Sequence, residues 1–353
     1  MRSLTLFVAS TLVACGPPPS SSAGGGSRSD TGPRGTATDA GQSVQDAGSP
    51  SRRDAGSPPP VDAGTVVPDS PLVDSECLDG QYTEVLPTPE APIATIVDGY
   101  AASNWRGYVE QLLERRYPLG WTIVRRALRE GPEQLGDCLE RFVGNTSSAD
   151  MVDRQIGTFV HECGHFLDIG LGWSNGTNTY FVRDELTIGC QQGDTTERRG
   201  RTFARSRIKG DDYSRLRPPC GGRNANDCDT YADIYLNGNP DDGNFESGDQ
   251  GFNMLLEEAF QYVNSIATNY ALNDRYRGSI SGRDGILTHL WWVQRYLKMA
   301  REDYPDAHAF ILSDACWRRA ILTMWGRAWL YLALTEEMDQ LGIRDHLIQP
   351  LIE

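Results

Sequence analysis

The stretch FVHECGHFLD, residues 159–168, decides how this chain is read, because it sets His161 and His165 four residues apart with Glu162 directly after the first. The surrounding periodicity predicts a helix starting near Ser147-Ser148, whose hydroxyls can cap it, with Asp150 in the first turn. Val152, Ile156, Phe159, Val160, Cys163 and Leu167 form its apolar stripe. On the adjoining face, with Thr158 and Asp168, the two imidazoles stand one turn apart and can point at one spot. That is the arrangement in which two neutral nitrogens share a tetrahedral Zn²⁺. Glu162, about 100° round the helix from His161, stands beside such an ion without binding it. There it can take a proton from an attacking water and return it to a leaving amine. The stretch thus holds every part of the H-E-x-x-H signature. The plainer reading is a surface helix that carries two of the chain's five histidines at this spacing by chance. Glu at the one position where a general base is needed, on an amphipathic helix, favours the metal.

The string HECGHFLD resembles the active-site helix of zincin metallopeptidases. Its extended form, His161-Glu162-x-Gly164-His165-x-x-Asp168, is similar to that of the anthrax-lethal-factor-type branch. Leu171 stands where metzincins carry a third histidine, so the resemblance points to gluzincins, in which a Glu on a later helix is the third ligand. In the segment 255–266, Leu255, Ala259, Tyr262 and Ile266 form an apolar stripe, and Glu258 falls on it. A carboxylate on such a stripe is costly unless a cation meets it. Glu258 is therefore the favoured ligand, with Glu257 the alternative and a solvated pair of surface glutamates the plainer reading. The string Glu257-Glu258-Ala259-Phe260 also resembles the gluzincin pattern around the ligand Glu. Such families often place an acid four residues after that ligand, where Tyr262 stands here. Asp168 is expected to orient an imidazole from behind instead. An oxyanion-stabilising residue stays open among Tyr213, Tyr231, Tyr235 and others. His289, His308 and His346 read as structural, with His289 an outside candidate ligand.

The N-terminal residues lead to the expectation that this site works outside the cytoplasm. Met1-Arg2, the apolar run from Leu4 to Ala9 and then Leu12-Val13-Ala14 read as a secretory signal, too short to be a membrane span. Leu12-Val13-Ala14-Cys15 resembles the lipobox of bacterial lipoproteins, which implies removal of residues 1–14, a lipid on Cys15 and a membrane anchor. Gly16 after it favours outer-membrane or cell-surface sorting. Residues 15–74 are dominated by Gly, Pro, Ser, Ala and Asp, with Asp-Ala-Gly recurring at Asp39, Asp46, Asp54 and Asp62. This composition predicts a disordered linker, reaching on the order of 45 Å as a flexible coil.

Residues 75–353 are long enough, and rich enough in Trp, Tyr, Leu and Ile, for one catalytic domain. It is predicted to be mainly α, formally α+β, with a zincin-like fold. Helices are expected over Ala101–Tyr117, Trp121–Arg129 and Glu133–Phe142, and again from Asn253 to the end, with one or two short strands between Asn175 and Cys190. The polar, Gly- and Asp-rich stretch 191–250 reads as loops or an inserted excursion. Its acidic run Asp241, Asp242, Asn244, Glu246 and Asp249 raises Ca²⁺ as a structural ion, without the spacing of an EF-hand. The formal charge of −15 argues against a nucleic-acid partner. Seven of the eight cysteines follow Cys15, and in an exported protein most should be paired; Cys220 and Cys228 are the best local pair.

Two functions fit. The first is a membrane-anchored extracytoplasmic zinc metallopeptidase acting on protein or peptide. The second is a surface lipoprotein with a purely structural zinc site, serving in binding or adhesion. An intact Glu162 favours the first, because a structural site has no use for a general base.

Overall fold

The computed structural model describes residues 82–348, except 193–199, 211, 219, 221–227, 243, 245, 276–281 and 346. The signal, the lipidation site Cys15, the linker, Cys77 and His346 therefore lie outside the described residues. What is described is mostly helical, with one two-stranded antiparallel sheet. The order is α1 (Ala94–Asp98), α2 (Trp105–Arg116), α3 (Pro118–Glu130), α4 (Cys138–Phe142) and α5 (Ala149–Asn175). Then come β1 (Thr177–Arg183), β2 (Leu186–Gln191), α6 (Tyr213–Leu216), α7 (Thr230–Tyr235), α8 (Phe252–Ala271), α9 (Gly282–Asp303), α10 (Pro305–Ser313) and α11 (Ala315–Leu334).

The motif helix α5 is bounded as its sequence asks. Ser148 caps it by accepting from the Met151 N–H, and it ends at Gly176, whose φ of 66° is open to glycine at little cost. Its whole apolar stripe, from Val152 to Leu167, is buried. Helices α3 and α8 and strand β1 pack around it, while α8 is also flanked by α9 and α11. Leu255, Leu256, Ala259, Phe260, Val263, Ile266 and Ala267 of α8 are fully buried. A helix this apolar on most sides belongs at the centre of a layered bundle.

Two expected helix bounds are corrected by the structure. The helix expected over 133–142 is broken: Gly136 turns the chain at φ 72°, and Asp137 starts α4 afresh by accepting from the Leu139 and Glu140 N–H groups. The first long helix starts at Trp105, not Ala101. The described part of 191–250 is, as expected, mostly loops with short helices, yet it is anchored in the core. It contributes Phe203, Ile208, Tyr213, Tyr231 and Tyr235 to the core, and a fully buried ion pair, Arg217–Asp229 at 2.9 Å, to which the Tyr213 hydroxyl adds a bond of 2.5 Å. The composition looked loop-like because the stretch contains little regular structure, yet its few aromatic residues anchor it.

Three disulfides join the frame: Cys220–Cys228, Cys190–Cys316 and Cys138–Cys163. The second ties β2 to α11, and the third ties α4 to the motif helix. Removing Cys138–Cys163 by a double change to Ala should lower the unfolding free energy by about 3 kcal/mol, from the loop of 25 residues that it closes. Urea denaturation of the metal-free protein checks this; an unchanged midpoint would mean that the bridge does not constrain the unfolded chain.

Candidate metal centre

Helices α5 and α8 bring three donor groups to one point. His161, His165 and Glu258 are all buried, and one ligand atom from each lies within 4.8 Å of the others. The Glu258 Oε2 atom stands 3.6 Å from His161 Nε2 and 3.5 Å from His165 Nε2. Those separations are too long for sound hydrogen bonds. They are close to the 3.3–3.4 Å, roughly, that separates two atoms bound about 2.0–2.1 Å from a common tetrahedral ion.

The other faces of the rings determine their tautomers. His165 Nδ1 lies 2.6 Å from Glu257 Oε2, and a carboxylate only accepts, so Nδ1 carries the hydrogen. His161 Nδ1 lies 3.0 Å from the Ser265 hydroxyl, whose own hydrogen goes to the Gln261 carbonyl at 3.1 Å. The hydroxyl must therefore accept from His161. In both rings Nε2 is then the lone-pair side, and both lone pairs face the Glu258 carboxylate. Burial works against charge on Glu258, but positive charge at the imidazole end of the site holds its carboxyl well below the ordinary carboxylate range. Two nitrogen donors and an anionic oxygen converging in a dry interior suit a divalent cation, and the set fits Zn²⁺.

Glu162 is fully buried on the same helix. Glu257, the alternative ligand, stands behind His165 on its Nδ1 side instead of among the Nε2 atoms. Asp168 does not orient an imidazole. It accepts from the Phe181 N–H at 2.7 Å and from Gln261 Nε2 at 2.9 Å, fastening β1 and α8 to the motif helix. Three residues past His165 it faces the hairpin, whereas Glu257 reaches His165 from across the helix pair. Burial, followed by the Glu257 carboxylate nearby, pushes Asp168 well above its ordinary value.

His289 Nδ1 donates to the Gly285 carbonyl at 2.9 Å, and its ring stacks on Tyr262 with centroids 4.4 Å apart. It is a packed, neutral core residue: burial lowers its pKa to about 4. Tyr262 also sets its ring against His161, at 5.0 Å, and pairs its hydroxyl with that of Tyr235 at 2.9 Å. Tyr213 is occupied by Asp229 and Trp292. His308 lies in a groove between α9, α10 and α11. The acidic run turns to local partners: Asp241 accepts from Arg207, Asp242 from the Asn244 N–H and Asp249 from the Glu246 N–H. Among the described residues only the His161, His165 and Glu258 group converges as a metal site. Comparison with protein-family models, with curated proteins and with solved structures finds no match to this chain.

The roles of Gln261 and Ser265 were not legible in the sequence, although Glu257, Gln261 and Ser265 recur at four-residue spacing on a polar face shared with Asn264 and Thr268. Metal analysis should find one equivalent in the wild type and none in His161→Ala or Glu258→Ala. Glu257→Gln should keep the metal with affinity weakened about 10–100-fold. Full retention in Glu258→Ala would move the third ligand elsewhere.

A pH dependence follows from His289. An unfolded imidazole titrates near about 6.5, the folded one at about 4, so in that window the unfolded chain binds the additional proton. The stability contributed by neutral His289 is present above about pH 6.5 and is lost as pH falls toward 4. Between pH 7 and pH 4.5 the urea midpoint of wild type should fall more than that of His289→Gln; parallel losses would show that His289 is not held neutral.

Proposed function

We propose that this protein is an extracytoplasmic zinc metallopeptidase of zincin, gluzincin-like type, held at a membrane surface through a lipid on Cys15. Zn²⁺ would be held by His161, His165 and Glu258, and the substrate would be protein or peptide. The convergence of two Nε2 lone pairs and the Glu258 carboxylate carries this reading, joined to a Glu at the position next to the first histidine. Three disulfides suit an oxidising compartment, and no helix among the described residues is long and apolar enough to cross a membrane.

Zn²⁺, when bound, polarises a carbonyl and makes water a nucleophile near neutral pH. The chain supplies the rest. Glu257 and Ser265 hold the imidazoles in the tautomer that offers Nε2. Glu162 takes the proton of the attacking water on a carboxylate oxygen and passes it to the leaving amine, so no covalent enzyme intermediate is required. Its complete burial keeps that transfer in a low-dielectric setting where charge interactions are strong. The Tyr235–Tyr262 hydroxyl pair lies on the His161 side of the site.

Glu162→Gln should retain one zinc per chain and lose hydrolysis of fluorescein-labelled casein by at least about 10²–10⁴-fold. A variant that cleaves as fast as wild type would remove Glu162 from the chemistry and leave a structural zinc site.

A further inference from the structure

We infer that Gln261 is a positioning residue for both metal-binding histidines, and that Gly164 of the motif exists to let its side chain in. This inference rests on the metal-site reading above and extends it. The two ends of Gln261 serve different rings. Its backbone carbonyl accepts the Ser265 hydroxyl hydrogen at 3.1 Å, which leaves Ser265 to accept from His161 Nδ1. Its side-chain nitrogen donates to Glu257 Oε1 at 3.0 Å, which leaves Glu257 Oε2 to accept from His165 Nδ1. The same nitrogen donates to Asp168 Oδ2 at 2.9 Å, so both hydrogens of the amide are used.

The amide cannot flip without breaking these bonds, because its oxygen accepts from Asn264 Nδ2 at 2.9 Å. Asn264 in turn accepts from Arg327 at 3.2 Å, and Arg327 forms a buried ion pair with Glu84 at 2.7 Å. A chain of oriented donors therefore runs from α11 through Gln261 to the back of His165. Its narrowest point is at the motif. A Cβ on Gly164 would lie 1.9 Å from Gln261 Oε1 and 2.7 Å from its Cδ. The amide is the flexible end of a side chain, but it is buried and bonded at each polar atom, so moving it breaks the hold on Glu257. This gives Gly164 a physical reason that helix geometry alone does not supply.

The test uses the full folded chain. Gln261→Met keeps the length and removes the amide; Gly164→Ala displaces it; Ile311→Ala, in the core away from the site, is a control for loss of stability. Zinc affinity by chelator competition should fall about 10–100-fold in Gln261→Met and in Gly164→Ala, but not in Ile311→Ala. The visible spectrum of the Co²⁺-loaded protein should shift in the first two alone. ¹⁵N magnetic resonance of the metal-free protein, with the rings assigned through His161→Ala and His165→Ala, should show both rings as Nδ1–H tautomers. In Gln261→Met, His165 should lose that single tautomer.

Affinity, spectrum and tautomers unchanged in Gln261→Met would overturn the inference, as would equal losses in Ile311→Ala. A wild type that binds no zinc, yet shows the tautomers and their dependence on Gln261, would sink the metal reading while leaving the positioning role in place.

Discussion

Three lone-pair donors from two helices face one another in the interior, and without a cation between them that arrangement is repulsive. His161 and His165 come from α5, Glu258 from α8, so the centre exists only if the two helices keep one register. Much of the frame bears on that register. Disulfide Cys138–Cys163 pins α5 beside α4, the Asp168 carboxylate holds β1 to α5, and Gln261 spans the gap left by Gly164. The buried Arg327–Glu84 pair, with Tyr331 on the same carboxylate, steadies α8 from the far side through Asn264. Breaking a buried pair of this kind from one side leaves an uncompensated charge, typically about 3–5 kcal/mol.

The same constraint separates two adjacent glutamates. Successive residues on a helix point about 100° apart, so Glu257 and Glu258 cannot both meet the Nε2 atoms. Glu258 faces them, and Glu257 takes the rear of His165, where a carboxylate raises the basicity of the ring and fixes its tautomer. His161 relies on a neutral hydroxyl instead. The two imidazoles are thus unequally supported, His165 by an anion and His161 by a relay through Ser265.

Much of this centre was legible before the structure. The periodicity of α5, its Ser148 cap and the face shared by His161 and His165 follow from local spacing, which sequence carries directly. The choice of Glu258 was legible because an isolated carboxylate on an apolar stripe is costly. The role given to Asp168 was not, because its partner depends on where β1 returns after the turn at Gly176, a long-range matter. The pairing of Cys163 was not legible for the same reason: Cys138 is close to it only once Gly136 and Asp137 have restarted the chain as α4. In the stretch 191–250, polar composition concealed a buried ion pair, since composition reports average solvation and not whether a charge has found its partner.

X-ray absorption at the zinc edge of the purified protein reads the donor atoms themselves. A centre of His161, His165 and Glu258 should give one zinc per chain with about four nitrogen and oxygen neighbours near about 2.0–2.1 Å, two of them with the outer-shell scattering of imidazole, and no sulfur. A sulfur neighbour near about 2.3 Å, or a protein that takes up no zinc, would contradict it.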